Sequence, residues 1–270
     1  MFPLPDCFRA IRQIVDARYW VRRYAESVDF CPLCRGSEFL PHSQHRASGF
    51  LIHLVECSTC GLVVQSPRLS DIGLDAYYAR AYRPENTKED PAKLFARGMR
   101  RGAYIKEYLQ QNQCDFQEHR MADIGCGYGG VMEAFRTDGW RVVGCDLEGS
   151  APAYARSRGL DARNGKISSL SGCVGQLDLV VLSHVLEHVP DPVGLLAEAG
   201  KLLATGGSIY VEVPGIENPR VIDKQYAAQI GHLVYFTKVT VCRTIKSAGL
   251  APYGANDLIQ VLARNPGSAA

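Results

Sequence analysis

The stretch ADIGCGYGG, residues 122–130, decides how this chain is read. Gly125, Gly127 and Gly130 spell G-x-G-x-x-G, a fingerprint of dinucleotide binding, while Asp123, Gly125, Gly127 and Gly129 spell D-x-G-x-G-x-G. Either way, an apolar strand ends in a glycine-rich turn. Such a turn lets backbone approach a ligand closely at the positive end of the next helix. The two readings part at Asp123. A dinucleotide needs helix amides free for its pyrophosphate, and a carboxylate there adds negative charge where phosphate must sit. The same carboxylate suits a ligand that has no phosphate and presents an ammonium group.

Outward from the loop, strands and helices alternate. RMADIGC, WRVVGCDL, QLDLVVLSHV, SIYVEVPG and a closing piece near DLIQVLAR read as strands. GGVMEAFRTDG, APAYARSRG, DPVGLLAEAGKLLATGG and KVTVCRTIKSAG read as helices. The third helix has marked ends: Asp191 can cap it, Pro192 suits its first turn, and Gly206 is read as its exit. This alternation predicts a parallel sheet covered on both faces. Asp146 closes the second strand, where a carboxylate can accept hydrogen bonds from ribose hydroxyls. That role is common to both ligand classes.

DIGCGYGG, then VGCDL, then LDLVVLSHVLEHVPDP, then GHLVYFT resemble, in this order, the class I S-adenosylmethionine-dependent methyltransferases. The resemblance covers about residues 98–264. It implies an α/β, Rossmann-like fold with a mostly parallel seven-stranded sheet. It also implies that Asp123, Gly125 and Gly127 hold the methionine end of the cofactor, with Cys126 occupying a loop position between them. Asp146 would bind the ribose and Leu147 would lie against the adenine. Ser183 and His184 would line the sulfonium side. Many relatives carry an acid near the end of the third strand for the adenine amino group. Here that stretch reads ARNGKISSL, with no acid after Asp161, so adenine recognition is expected from backbone groups or Asn164.

Upstream, Cys31-Pro-Leu-Cys34 and Cys57-Ser-Thr-Cys60-Gly61 resemble two zinc knuckles. Zinc takes four soft ligands in a tetrahedron, and C-x-x-C turns two thiolates onto one ion. The expected ion is structural, since four thiolates leave no open position for a substrate. Gly61 would relieve crowding where amides turn toward sulfur. His42, His45 and His53 are read as surface or packing residues. Residues 31–66 carry two Arg and two Glu, so no basic stripe points to nucleic acid.

The expected organisation is an N-terminal helix within residues 1–30, a zinc ribbon over 31–66, a helical linker or substrate lid over 67–118, and the methyltransferase domain over 119–265. The helix is read over residues 8–28, where Ile11, Ile14, Val15 and Tyr19 recur at helical spacing. Zinc-ribbon small-molecule methyltransferases resemble this arrangement and carry a tyrosine-rich helix after the ribbon. That resemblance makes Tyr77, Tyr78 and Tyr82 candidates to cover the cofactor or reach the substrate, with Tyr82 the catalytic one. Residues 80–106 hold eight Lys or Arg against three acids. This is either a solvated helix face or a site for an anionic substrate at Arg97, Arg100 or Arg101.

Methyl transfer from a sulfonium is an in-line displacement, and the protein must align the nucleophile and remove its proton. Histidine titrates in the useful range. His184 and His188 lie one turn apart in HVLEH, and His232 sits in GHLVYFT. In relatives with H-x-x-x-F here, that histidine lies beside the substrate, so His232 is the first candidate base and His188 the second. Some sugar C-methyltransferases share the ribbon and the histidine but place a glutamate before it, where this chain has Gly231. Net charge is +2 and no apolar run reaches the roughly 18 residues of a membrane span. The N-terminal residues lack the pattern of a secretory signal, and the cysteine pairs suit a reducing compartment, so the expected location is cytoplasmic. The expected partner is a small molecule, with O-methylation ahead of N- or C-methylation. An RNA methyltransferase guided by the ribbon and a non-catalytic partner protein with a vestigial fold are the rival readings.

Overall fold

A computed structural model describes residues 23–47, 50–80, 89–217 and 230–266. The chain forms two compact units. One holds the described parts of Met1–Lys88 together with Glu187–Pro190 and Pro214–Thr240. The other holds Glu89–Leu186, Asp191–Val213 and Val241–Ala270.

In the first unit, Phe39–Ala47 (β2), Phe50–Cys57 (β3) and Val63–Gln65 (β4) form an antiparallel meander. A fourth strand, Val234–Tyr235 (β11), pairs antiparallel with β4 and completes the order β11-β4-β3-β2. Ile52, Leu54, Val63 and Tyr235 bury its apolar face. Pairing with β4 draws the segment around GHLVYFT, read from sequence as part of the C-terminal domain, into this sheet. Residues 1–22 and Tyr82 lie outside the described residues. The helix read over 8–28 does not continue through its C-terminal end. Ala25–Glu26 (β1) pairs antiparallel with Arg68–Leu69 (β5), a long-range partner that helical periodicity does not register. Asp71–Arg80 (α1) follows.

The second unit is built on a seven-stranded sheet. Its strands are Arg120–Ile124 (β6), Arg141–Asp146 (β7), Asp161–Asn164 (β8), Leu177–Ser183 (β9), Leu203–Glu212 (β10), Ala251–Tyr253 (β12) and Gln260–Arg264 (β13). Their order is β12-β13-β10-β9-β6-β7-β8, parallel except at β13, which runs antiparallel to both its neighbours. β6 and β9 are adjacent and the chain leaves them in opposite directions across the sheet, so the switch point lies between them. Ligands in open α/β sheets bind beyond the carboxyl ends of the strands at such a point. The central strands are buried on both faces, which explains runs such as LDLVVLS.

Helices Pro91–Gln111 (α2), Gly130–Arg136 (α3), Ser150–Ser157 (α4), Pro192–Leu202 (α5) and Lys238–Ser247 (α6) connect and cover the strands. α2 packs on α3 through glycines. A Cβ on Gly130 would come 2.6 Å from Gly98 Cα, and one on Gly98 would come 2.8 Å from Gly130 Cα. Ile105, Tyr108, Phe135, Leu179, Tyr210 and Leu262 belong to one buried apolar cluster on this sheet. At α5 the Asp191 side chain accepts from Gly194 N at 2.9 Å, as the capping pattern predicts. The exit differs. Leu203 is already extended, so the helix stops at Leu202. Gly206, with φ +82°, sits where the β9–β10 register shifts between Leu203 and Ser208. Among the described residues, no helix is long and apolar enough to cross a membrane.

Candidate functional site

The glycine loop leaves β6 at the centre of the sheet. Gly125 N and Cys126 N both donate to Cys145 O, at 2.8 and 3.0 Å, so the chain turns tightly around the end of β7. Gly125 takes φ +73°, and a Cβ there would press on Val185 Cγ2 at 2.7 Å, so both conformation and space demand glycine. The Cys126 side chain packs inward with Phe95, Met132 and Leu160 and does not line the loop's open side.

Asp146 organises the turn. Its Oδ2 accepts from Gly127 N at 2.8 Å and its Oδ1 from Glu148 N at 2.9 Å. Asp123 is 3% exposed, and burial, reinforced by the charge of Asp146, pushes its carboxyl up to about 8. The next residue, Leu147, is 40% exposed, an apolar side chain held open beside two carboxylates. Glu148 is buried and accepts from Ser150 N and Ala151 N at the start of α4. Sequence reading missed it, although an acid just before a helix start is a recognisable capping signal. Asn164 ends β8 opposite Asp146 in the sheet register and is exposed.

A polar network occupies the ends of β9 and β10. Ser183 Oγ donates to Glu212 Oε2 at 2.9 Å, and Tyr210 OH donates to the same oxygen at 3.2 Å. Arg101, from α2, makes a short contact with Glu212 Oε1 and lies 3.1 Å from His184 Nε2. Since guanidinium can only donate, His184 accepts through Nε2 there. His184 has φ +56° and an exposed side chain, and its backbone N donates to Glu212 O at 2.8 Å. Glu212 was not singled out by sequence: one acid in SIYVEVPG carries no local signal of its four partners. Of the three arginines considered for an anionic substrate, Arg101 is thus bound within this network. Arg97 pairs with Glu89 at 3.1 Å, and Arg100 is exposed.

In the first unit, the four cysteine sulfurs converge. Cys31 Sγ lies 3.5 Å from Cys60 Sγ, Cys34 Sγ lies 3.5 Å from Cys57 Sγ, and all four fall within 4.8 Å of one another. Sulfurs on a tetrahedral ion with ~2.3 Å bonds stand about 3.8 Å apart. The two knuckles share one fold. Arg35 N donates to Cys31 O and Gly61 N to Cys57 O, each at 2.9 Å, with φ of +64° and +74°. Arg35 therefore adopts unaided the conformation for which glycine was anticipated at Gly61. Burial raises the Cys31 and Cys60 thiols, whereas at Cys57 the amides of Cys60 and Thr59 outweigh burial and bring the thiol to about 7. His42 is exposed, and His45 and His53 are half-buried.

The same unit gathers Glu187, His188 and His232, each offering a ligand atom within 4.8 Å of the others. Glu187 is 1% and His232 7% exposed. His188 Nδ1 lies 2.8 Å from Gly231 O, and the His188 and His232 rings meet edge to face at 4.7 Å. Tyr78 packs on the His188 ring at 6.3 Å and on Tyr77 at 5.5 Å, while Tyr77 itself is buried. Sequence reading named both histidines but not Glu187, the acid just before His188 in HVLEH. His184, the other histidine of that motif, belongs to the second unit.

Residues 88–253 match the family described as "Methyltransferase domain". The chain is 28% identical over 149 residues to a ubiquinone biosynthesis O-methyltransferase of Aeromonas salmonicida, covering 48% of this chain and 62% of that protein. The protein of the same description from Bordetella avium is 28% identical over 166 residues, covering 55% of this chain and 68% of its own. The match thus spans only part of the length of the curated relatives, from 41% to 68% of each. Among solved structures, the magnesium protoporphyrin IX methyltransferase of Synechocystis PCC 6803 with bound SAH aligns with a TM-score of 0.54 at 12% identity. The alignment covers 73% of this chain and all of that one, a likeness of fold.

Proposed function

The chain belongs to the methyltransferase-domain family, and we propose that it transfers a methyl group from S-adenosylmethionine to a hydroxyl oxygen of a small molecule. The observation that carries this is Asp123: a buried carboxyl at the end of the central strand, raised to about 8 beside Asp146. Burial disfavours the ionised form of this carboxyl, so a cation brought beside it would stabilise that form, and the cofactor's methionine end carries an ammonium. Asp123, Gly125 and Gly127 would hold that end. Asp146 would meet the ribose hydroxyls while keeping the loop closed, and the open face of Leu147 would meet the adenine, with Asn164 at its edge. Ser183 and His184 would face the sulfonium. The Cys126 side chain is left to packing.

Bound there, S-adenosylmethionine supplies an electrophilic methyl group. The chain's own work is to exclude water, aim the acceptor oxygen at that methyl, and take up the acceptor's proton. We assign the last task to His232 first and His188 second. A hydroxyl acceptor is favoured by the names of the relatives, two O-methyltransferases, and by Gly231 standing where a C-methylating relative would place glutamate. Cys31, Cys34, Cys57 and Cys60 would hold one structural zinc ion, for which their spacing and soft donors are suited. Calorimetry with S-adenosylhomocysteine tests the loop. One-site binding is expected for the wild type and its loss in Asp123→Ala; equal affinity in both would overturn the assignment.

A further inference from the structure

We infer that Glu187, His188 and His232 form a second metal site, for a first-row divalent transition ion such as Zn2+ or Co2+, distinct from the four-cysteine cluster. Two imidazoles and a carboxylate are a common three-ligand set for such ions, and three protein ligands leave a position open.

Three observations carry the inference. The ligand atoms already converge: His188 Nε2 and Glu187 Oε1 are 3.8 Å apart, too far for a hydrogen bond and close to the ~3.4 Å between two ligands on ~2.1 Å bonds to one tetrahedral ion. The orientation of His188 is fixed from behind. Gly231 O can only accept, so Nδ1 carries a proton and Nε2 is the nitrogen turned toward Glu187. A carbonyl on the outer nitrogen is how ligating histidines are usually held. Finally, the backbone on both sides is pinned. Leu233 N donates to Glu187 O at 2.7 Å, which locks the Glu187–His188 segment to the residue after His232. A Cβ on Gly231 would stand 3.4 Å from His188 Nδ1 and 3.3 Å from Tyr77 Cε1, so glycine there gives the ring its close seat. Tyr78 and Tyr235 add aromatic walls, which strengthen electrostatic attraction at the site.

The consequence for chemistry rests on the methyl-transfer reading; the binding itself does not. An acceptor hydroxyl in the open position would lose its proton to water more readily.

The test is metal content of the full chain after equilibration with Zn2+ and removal of loose ion. The wild type should hold two equivalents, Glu187→Gln and His232→Ala one, and Cys34→Ser the other one. Co2+ loading separates the sites, because thiolate coordination gives intense sulfur-to-metal charge-transfer bands and a nitrogen–oxygen site only weak ligand-field bands. If a histidine variant misfolds and loses both equivalents, the Cys34→Ser protein decides. Weak ligand-field bands that Glu187→Gln then abolishes support the site, and a spectrum of aqueous Co2+ overturns it. One equivalent in the wild type, indifferent to Glu187→Gln, overturns it as well. Failure of S-adenosylhomocysteine to bind would sink the methyl-transfer reading and leave the metal result standing.

Discussion

Asp146 holds the glycine loop shut: its Oδ2 accepts the Gly127 amide at 2.8 Å while its Oδ1 accepts that of Glu148 at 2.9 Å. One carboxylate thus joins the turn after β6 to the turn after β7. Hydrogen bonds to a charged partner each contribute about 1.5–3 kcal/mol. Asp146→Ala should therefore weaken S-adenosylhomocysteine binding at least ~10-fold, even before any ligand contact is counted. Calorimetry measures this, and circular dichroism should show the fold retained.

On the proposed assignment, Asp123 should make cofactor binding depend on pH. Its carboxyl is raised from 3.8 to about 8 in the fold, so stabilisation by the neutral form is full below the ordinary value and is lost as pH rises through the folded one. Without ligand, the thermal midpoint should fall by on the order of 5 °C between about pH 6 and pH 9. S-adenosylhomocysteine brings an ammonium that prefers the ionised carboxyl, so its affinity should rise over the same range. Asp123→Asn should flatten both curves; scanning calorimetry of the two proteins across pH checks it.

Gly130 is the glycine that makes the dinucleotide pattern, yet here it serves packing. A Cβ would meet Gly98 Cα at 2.6 Å and Met99 N at 2.7 Å, both backbone and unable to swing aside. Gly130→Ala should cost about 1–3 kcal/mol by prising α2 from α3. Urea denaturation reads the loss directly.

Local patterns carried far into this fold, and long-range pairing marked where they stopped. The glycine loop, the β–α alternation, the Asp191 cap and both cysteine pairs are each written within a few residues. β11 is not: two residues, Val234 and Tyr235, join β4 some 170 positions earlier, and nothing local in GHLVYFT announces it. Glu187 and Glu212 were overlooked for the same reason. An acid's meaning depends on what the topology sets beside it, here His232 in one case and Arg101 in the other. Gly206 shows the reverse error, a real turn residue assigned to the wrong turn.

The four thiolates should respond to acid as ligands do. Cys57 is held low, at about 7, while burial raises Cys31 and Cys60, so binding a metal must release protons from at least those two. Metal affinity at this cluster should fall steeply as pH drops from about 8 to 6. Competition with a chromophoric chelator measures it, and Cys31→Ser should lose the thiolate-bound ion altogether.

Glu212 is buried with Arg101 as its cation, and Ser183, Tyr210 and His184 complete its surroundings. The Arg101 side chain is 36% exposed and that of Glu212 11%, so solvent screens the pair only from one side. Arg101→Met leaves a carboxylate that burial disfavours and should cost ~2 kcal/mol, below the full penalty of a fully buried pair. Glu212→Gln keeps hydrogen bonding to Ser183 and should cost less. In the double variant neither charge is stranded, so the two losses should not add: a coupling of ~1 kcal/mol is expected from the double-mutant cycle in urea. Strict additivity would mean that Arg101 and Glu212 do not stabilise each other.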